Sequence, residues 1–402
     1  MSARLTTAAV WALVLLPLVV SPLLGLLTPY VALLIIIPLF FVTLFRGKFF
    51  SAYASYDARA FLAVFAALAL VFLVTADGAS DALRALNFTM LLAYGAIAWF
   101  FIRHGGPVKA EWIPALAGLG VVLGFIEVAA STLLGAPRPT GLNIGPIVLA
   151  NALLALGFIS LGGAILRKDR WAWLYVLAPV LAIATTVLTT SRGPLLAVPF
   201  AIVAAAIWFW RVSFGGSARV GWMLLGGLVI VGAALALVLF NTRAATILAV
   251  VEAIARGEAV LDSSSQQRLA LWQAGWQAFV QSPWIGHGWA NIMESVRPFL
   301  SEADQGLITL PQLHNDVLNF AVGAGVVGVG CYLAIISTPL IGAWLSPRDS
   351  LRSFRLYGAT MLTIVYVGGG LTDLMFGFEF HTFLFVMLTS ILLGLCRDRQ
   401  LT

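Results

Sequence analysis

The stretch that decides the fold is HNDVLNFAVGAGVVGVGCYLAIISTPLIGAWL, residues 314–345. After three polar residues it carries no charged side chain from Val317 to Leu345. A helix rises about 1.5 Å per residue, so about 20 residues cross a hydrocarbon layer of roughly 30 Å. This run is longer than a crossing needs, and its glycines mark where it would tilt or break. Similar apolar runs recur along the chain, and we place about twelve spans near 8–27, 30–45, 60–76, 88–102, 112–131, 146–166, 171–189, 194–211, 220–240, 316–345, 356–374 and 382–396. The composition agrees. Of 402 residues, 61% are hydrophobic and 10% charged, against about 25% charged in soluble domains, and the mean hydropathy is +1.00. The first run follows only Arg4 and lacks a small-residue cleavage site, so it reads as a retained helix rather than a removed signal.

The formal charge of +6 does not point to nucleic acid, because the basic residues are scattered as short clusters between apolar runs. Alternate connections hold most of them: Arg46/Lys48/Arg59, Arg103/Lys109, Arg167/Lys168/Arg170, Arg211/Arg219, Arg348/Arg352/Arg355 and Arg397/Arg399. By the positive-inside rule these face the cytoplasm, with both termini. The organisation is therefore spans one to nine over 1–240, a large outer loop over 241–313, and spans ten to twelve over 314–402. The short cytoplasmic connections hold no phosphate-binding loop and no dinucleotide fingerprint. The two cysteines, Cys331 and Cys396, provide neither a disulfide framework nor a metal site, and no metal or other cofactor is expected.

The chemistry concentrates on the outer face. Arginines are exceptions there, and Arg84, Arg138, Arg192, Arg243, Arg256, Arg268 and Arg297 all fall on it. In the loop, Ser264 with Gln267 reads as a capping box opening an amphipathic helix. Arg268, Trp272 and Trp276 then share one stripe, which suits a helix at headgroup level reaching toward a phosphate or, more simply, an interfacial belt. Arg243 to Arg256 forms a second amphipathic stretch. Ser191 is a plausible cap for the span that follows Thr190-Ser-Arg-Gly-Pro, which sets Arg192 beside a helix N-terminus, where free N–H groups and the helix dipole favour an anion. His314-Asn315-Asp316 opens the long span, and a neutral imidazole there can accept a proton while its neighbours orient it. Glu127 and Asp373 are costly inside or at the ends of spans, so they are site candidates or structural ion-pair partners. Glu379 and Arg138 are candidates by location. A metal-free mechanism follows from finding only Glu302-Ala-Asp304 as paired carboxylates in the loop.

Three segments together resemble the O-antigen ligase and polymerase superfamily of bacterial membrane glycosyltransferases: Ser191-Arg-Gly, then Arg268 with Trp272 leading to Pro283-Trp-Ile-Gly-His-Gly, then His314-Asn-Asp-Val-Leu-Asn. The resemblance implies an all-α, GT-C-like integral membrane enzyme with one large periplasmic loop containing amphipathic helices, in the bacterial inner membrane. It also implies that Arg192 and Arg268 bind the diphosphate of an undecaprenyl-diphosphate-linked glycan and that His314 is the general base on the acceptor hydroxyl. Ser191, Trp272, Asn315, Asp316, Arg138 and Glu379 are further substrate-binding candidates. A ligase acting on lipid A-core is the favoured reading. A polymerase, a protein O-oligosaccharyltransferase and, from another class, a small-solute transporter are the alternatives.

Overall fold

A computed structural model describes residues 3–136, 138–167, 169, 171–213, 256 and 263–398. The expected span at 220–240 and most of the Arg243 to Arg256 stretch lie outside these residues. The described chain is helical, and its principal helices are α1 (Ala3–Leu15), α2 (Thr28–Phe45), α3 (Tyr56–Val74), α4 (Thr89–His104), α5 (Trp112–Leu133), α6 (Pro146–Leu161), α7 (Leu177–Leu188), α8 (Ala197–Ser213), α9 (Ser263–Gln281), α10 (Asp316–Leu345), α11 (Arg352–Gly370) and α12 (Glu379–Ser390). Among the described residues, seven helical stretches are long and apolar enough to cross a membrane, and Ala172–Leu188 and Glu379–Leu395 are shorter apolar helices. One of the seven, Ala3–Phe45, contains both α1 and α2. They are separated by a turn at Gly25, whose φ of 55° and contact with the backbone of Leu142 and Asn143 leave no space for a side chain.

Burial sorts these helices. α6 is apolar and buried continuously from Leu149 to Leu161, and α12 is buried from Phe380 to Ser390, as expected of helices enclosed on all sides. α6 packs against α5, α7 and α11. Outer helices turn large apolar side chains outward, among them Leu34, Leu133 and Phe200, and in lipid such surfaces face a matching solvent.

The long helix α10 breaks at Ala324 and Gly325, where φ/ψ values of −145°/16° and 63°/−151° leave the helical region. Its first two turns fold back on the rest. The Phe320 carbonyl lies against Gly328, although eight helical residues would separate them by about 12 Å. The polar groups freed at the break are re-paired by the Pro283–Gly288 turn. His287 N–H donates to the Val322 carbonyl at 2.8 Å, Gly288 N–H to that of Gly323 at 3.1 Å, and Val326 N–H to that of Pro283 at 2.8 Å. Non-helical backbone within a membrane span needs such pairing. Gly286, with a φ of 68°, lies so close to Ala324 N that a Cβ would sit 2.5 Å from it. Trp289 then fills a ring cluster with Phe72, Phe88 and Phe320.

The segment from α9 to Leu313 has its own apolar core, built on Leu271, Ala278, Val296, Leu307 and Leu313 and closed by Val322 of α10. It is thus a small layer seated on the broken end of α10.

Two charged residues singled out from the sequence have defined partners in the structure, and one reading falls outside it. The capping box expected at Ser264 lies outside the described side chains. Glu127 Oε1 accepts from Leu142 N–H in the loop that packs on Gly25. Arg355, read from sequence as a cytoplasmic marker, is fully buried. It pairs with Asp349 at 2.8 Å and donates to the carbonyls of Cys396 and Pro347 and the Ser346 hydroxyl, clamping the ends of α10, α11 and α12 together.

Candidate functional site

His314 sits in the left-handed region, with a φ of 51°, and its neighbours hold it there. Asn315 caps α10 by accepting from Leu318 N–H at 3.1 Å. Asn319 accepts from Leu313 N–H at 3.2 Å and donates to the Asn315 carbonyl at 2.9 Å. From α9, Trp272 Nε1–H donates to the Leu313 carbonyl at 3.0 Å. The helix that carries Arg268 is therefore fixed to the residue preceding His314, with Arg268 one turn, about 6 Å, further along its axis.

The loop between α11 and α12 supplies the group that sequence reading did not connect with His314. His314 Nδ1 lies 3.3 Å from Asp373 Oδ1, and Gln312 donates to the same oxygen at 2.8 Å. Asp373 is nearly buried, while the His314 side chain keeps 23% of its surface exposed. A carboxylate on Nδ1–H orients the ring and leaves Nε2 as the atom that can take a proton. Burial raises the Asp373 carboxyl, but the hydrogen bond and charge of His314 outweigh it and leave the group below the ordinary carboxylate value.

Asp316, buried at the start of α10, accepts from Met375 N–H at 2.9 Å and Phe376 N–H at 3.4 Å. It thereby holds the loop that bears Asp373, and Gly370 is a glycine where Asp316 Oδ2 presses against it. Asn315 adds a hydrogen bond to the Leu371 carbonyl at 3.4 Å.

The Ser191-Arg192-Gly193 segment reaches the same loop. A Cβ on Gly193 would overlap Thr372 Oγ1, next to Asp373. Thr190, with a φ of 54°, turns the chain, and a 3-10 turn over Gly193–Leu196 leads into α8, with Arg192 at the cap position and no side-chain cap. Ser191 does not cap. It is buried, and its hydroxyl accepts from Thr189 Oγ1 at 3.0 Å.

The structure thus brings His314, Asp373, Thr372 and the Arg192–Gly193 turn to one face, with α9 bound alongside through Trp272. Other candidates fall elsewhere. Arg138 is exposed on the loop that packs on Gly25, and Glu379 opens α12, six residues along the chain from Asp373. His287 has Nε2 2.8 Å from the Ala278 carbonyl and ties α9 to the turn below it.

These features define a polytopic, helical membrane protein whose chemistry-bearing residues gather where a broken span meets an outlying helical layer. Residues 177–333 match the family model described as O-antigen ligase (Wzy_C), and that segment is similar to this family. No curated protein matches the sequence. The matched segment contains Arg192, Arg268 and His314 and stops before Asp373.

Proposed function

We propose that the chain is an inverting glycosyltransferase that moves a glycan from undecaprenyl diphosphate to a hydroxyl of lipid A-core at the periplasmic face of the inner membrane. The observation that carries this reading is the His314–Asp373 pair, set beside Gly193 through Thr372 and beside α9 through Leu313.

In this reading the acceptor hydroxyl gives its proton to His314 Nε2 as its oxygen bonds to the anomeric carbon. The bond from that carbon to the diphosphate oxygen breaks with its electron pair, and the imidazolium formed is stabilised by Asp373. Attack opposite the leaving group inverts the anomeric centre. Charge grows on the departing diphosphate, and Arg192 and Arg268 neutralise it. Guanidinium forks match phosphate oxygens in a way an ammonium does not.

A lipid-anchored acceptor suits a site that opens beside the membrane and has one principal outer layer. Transport is disfavoured because Glu127, the midspan carboxylate that could serve it, is engaged with the Leu142 N–H. The test is incubation of purified protein with a synthetic polyprenyl-diphosphate glycan and lipid A-core. Glycosylated lipid A-core supports the ligase. Lengthening of the donor glycan without transfer to lipid A-core moves the protein to the polymerase class.

A further inference from the structure

The outer layer contains a cavity of about 360 Å³ between α9 and the turns that follow it, bordered by Gln273, Gln277, Phe299, Ser301 and Asp304. Its volume falls in the range of roughly 300–1,000 Å³ typical of small-molecule sites. Gln273 and Gln277 are exposed and four residues apart, so their carboxamides project from one face of α9. Opposite them, Ser301 Oγ donates to Asp304 Oδ2 at 2.6 Å and fixes the carboxylate. Gln305 donates to the carbonyls of Arg297 at 3.2 Å and Leu300 at 3.0 Å, which holds the turn that presents Phe299 and Ser301. Buried Ala274 and Leu300 form the floor.

The lining selects its ligand. Carboxamides both donate and accept, a carboxylate accepts, and an aromatic ring offers a face to C–H groups. A sugar with its ring of hydroxyls and apolar face meets all three. The lining residues include no cation, and Asp304 would repel a diphosphate. The cavity of about 430 Å³ between α1, α2 and α4 is lined mainly by apolar side chains such as Leu34, Leu39, Val42 and Phe100, together with Arg46 and His104.

We infer that this cavity binds a sugar unit of a substrate glycan, as a subsite separate from the charged reaction centre. The inference rests on the glycosyltransferase reading. At 3.6 residues per turn, Gln273 lies about 140° around α9 from Arg268, and a helix with side chains is about 10–12 Å across. The bound unit is therefore not the reacting sugar but one further along the chain. α9 holds the diphosphate on one side and the glycan on another. Both the donor glycan and the acceptor oligosaccharide carry the required chemistry.

Two probes distinguish these sources: core oligosaccharide, released by mild acid from lipopolysaccharide that lacks O-chain, and core-free O-chain, released by mild acid from its lipid-diphosphate carrier. Each is titrated into the full-length protein in nanodiscs and into the Gln273→Ala/Gln277→Ala variant, with binding followed by calorimetry. We expect saturable binding of one fraction, weakened about tenfold or more in the variant, the equivalent of about 1.4 kcal/mol. Binding of core oligosaccharide assigns the subsite to the acceptor, and binding of O-chain assigns it to the donor. Equal affinity in both proteins, or no saturable binding of either fraction, overturns the inference. The assay involves no transfer, so protein that binds but never transfers keeps this site and loses the proposed reaction. Protein that transfers while its variant binds like wild type keeps the reaction and loses the site.

Discussion

His314 is held in an unfavourable backbone conformation by three neighbours whose side chains hydrogen-bond the backbone around it. Its partner Asp373 gives the site a pH dependence. Because the folded carboxyl lies below its ordinary value, the pair contributes stability that is fully present above the ordinary carboxylate range. That stability is lost as pH falls through the depressed value. Thermal melts across this window should show an acid-side loss in wild type that is smaller in Asp373→Asn, and identical profiles would remove Asp373 from the account. Arg192→Lys should lower kcat/KM by about tenfold or more, since bidentate phosphate contact is lost. Much of the candidate site was legible at this scale, because Arg192, Arg268, Trp272 and His314 stand in short motifs whose residue types are unusual between apolar runs. Asp373 was visible only as a costly ionisable group. Its link to His314 joins residues 59 positions apart, and no local pattern encodes that contact. Ser191 and Asp316 were read as substrate contacts, and both are buried in hydrogen bonds to the protein itself.

At the scale of elements, the break in α10 and the Pro283–Gly288 turn form one unit, since each satisfies the other's backbone groups. The excess length of the apolar run and its glycines signalled a break. What the break would receive was not readable, because the pairing is made by backbone atoms that any side chain could accompany. Glycine is required at 286, where a positive φ and the Ala324 N–H leave no room. Gly286→Ala should lower the melting temperature and reduce turnover together, as the outer layer loses its seat on α10. A variant that melts like wild type and retains full activity would contradict this coupling.

The whole molecule is fastened at two ends. At one end the α10 break, the loop after α11 and α9 gather the site. At the other, Arg355 clamps the helix ends. Burial raises the Asp349 carboxyl, and the hydrogen bond and charge of Arg355 pull it back below its usual value. Removing one partner strands the other as a buried charge, so Arg355→Ala should cost about 3–5 kcal/mol, read as a large drop in denaturation midpoint. A change smaller than about 1 kcal/mol would mean that Asp349 reaches water. Composition made the membrane architecture evident. It concealed this clamp, because a buried arginine and a topological marker look alike in a sequence. The central claim concerns the other end, where His314 takes the acceptor's proton. Its most direct test is the turnover of polyprenyl-diphosphate glycan onto lipid A-core by wild type and His314→Ala, with donor binding measured in parallel. We predict that kcat falls about 10²- to 10⁴-fold while donor affinity is kept, and turnover within about threefold of wild type would contradict the account.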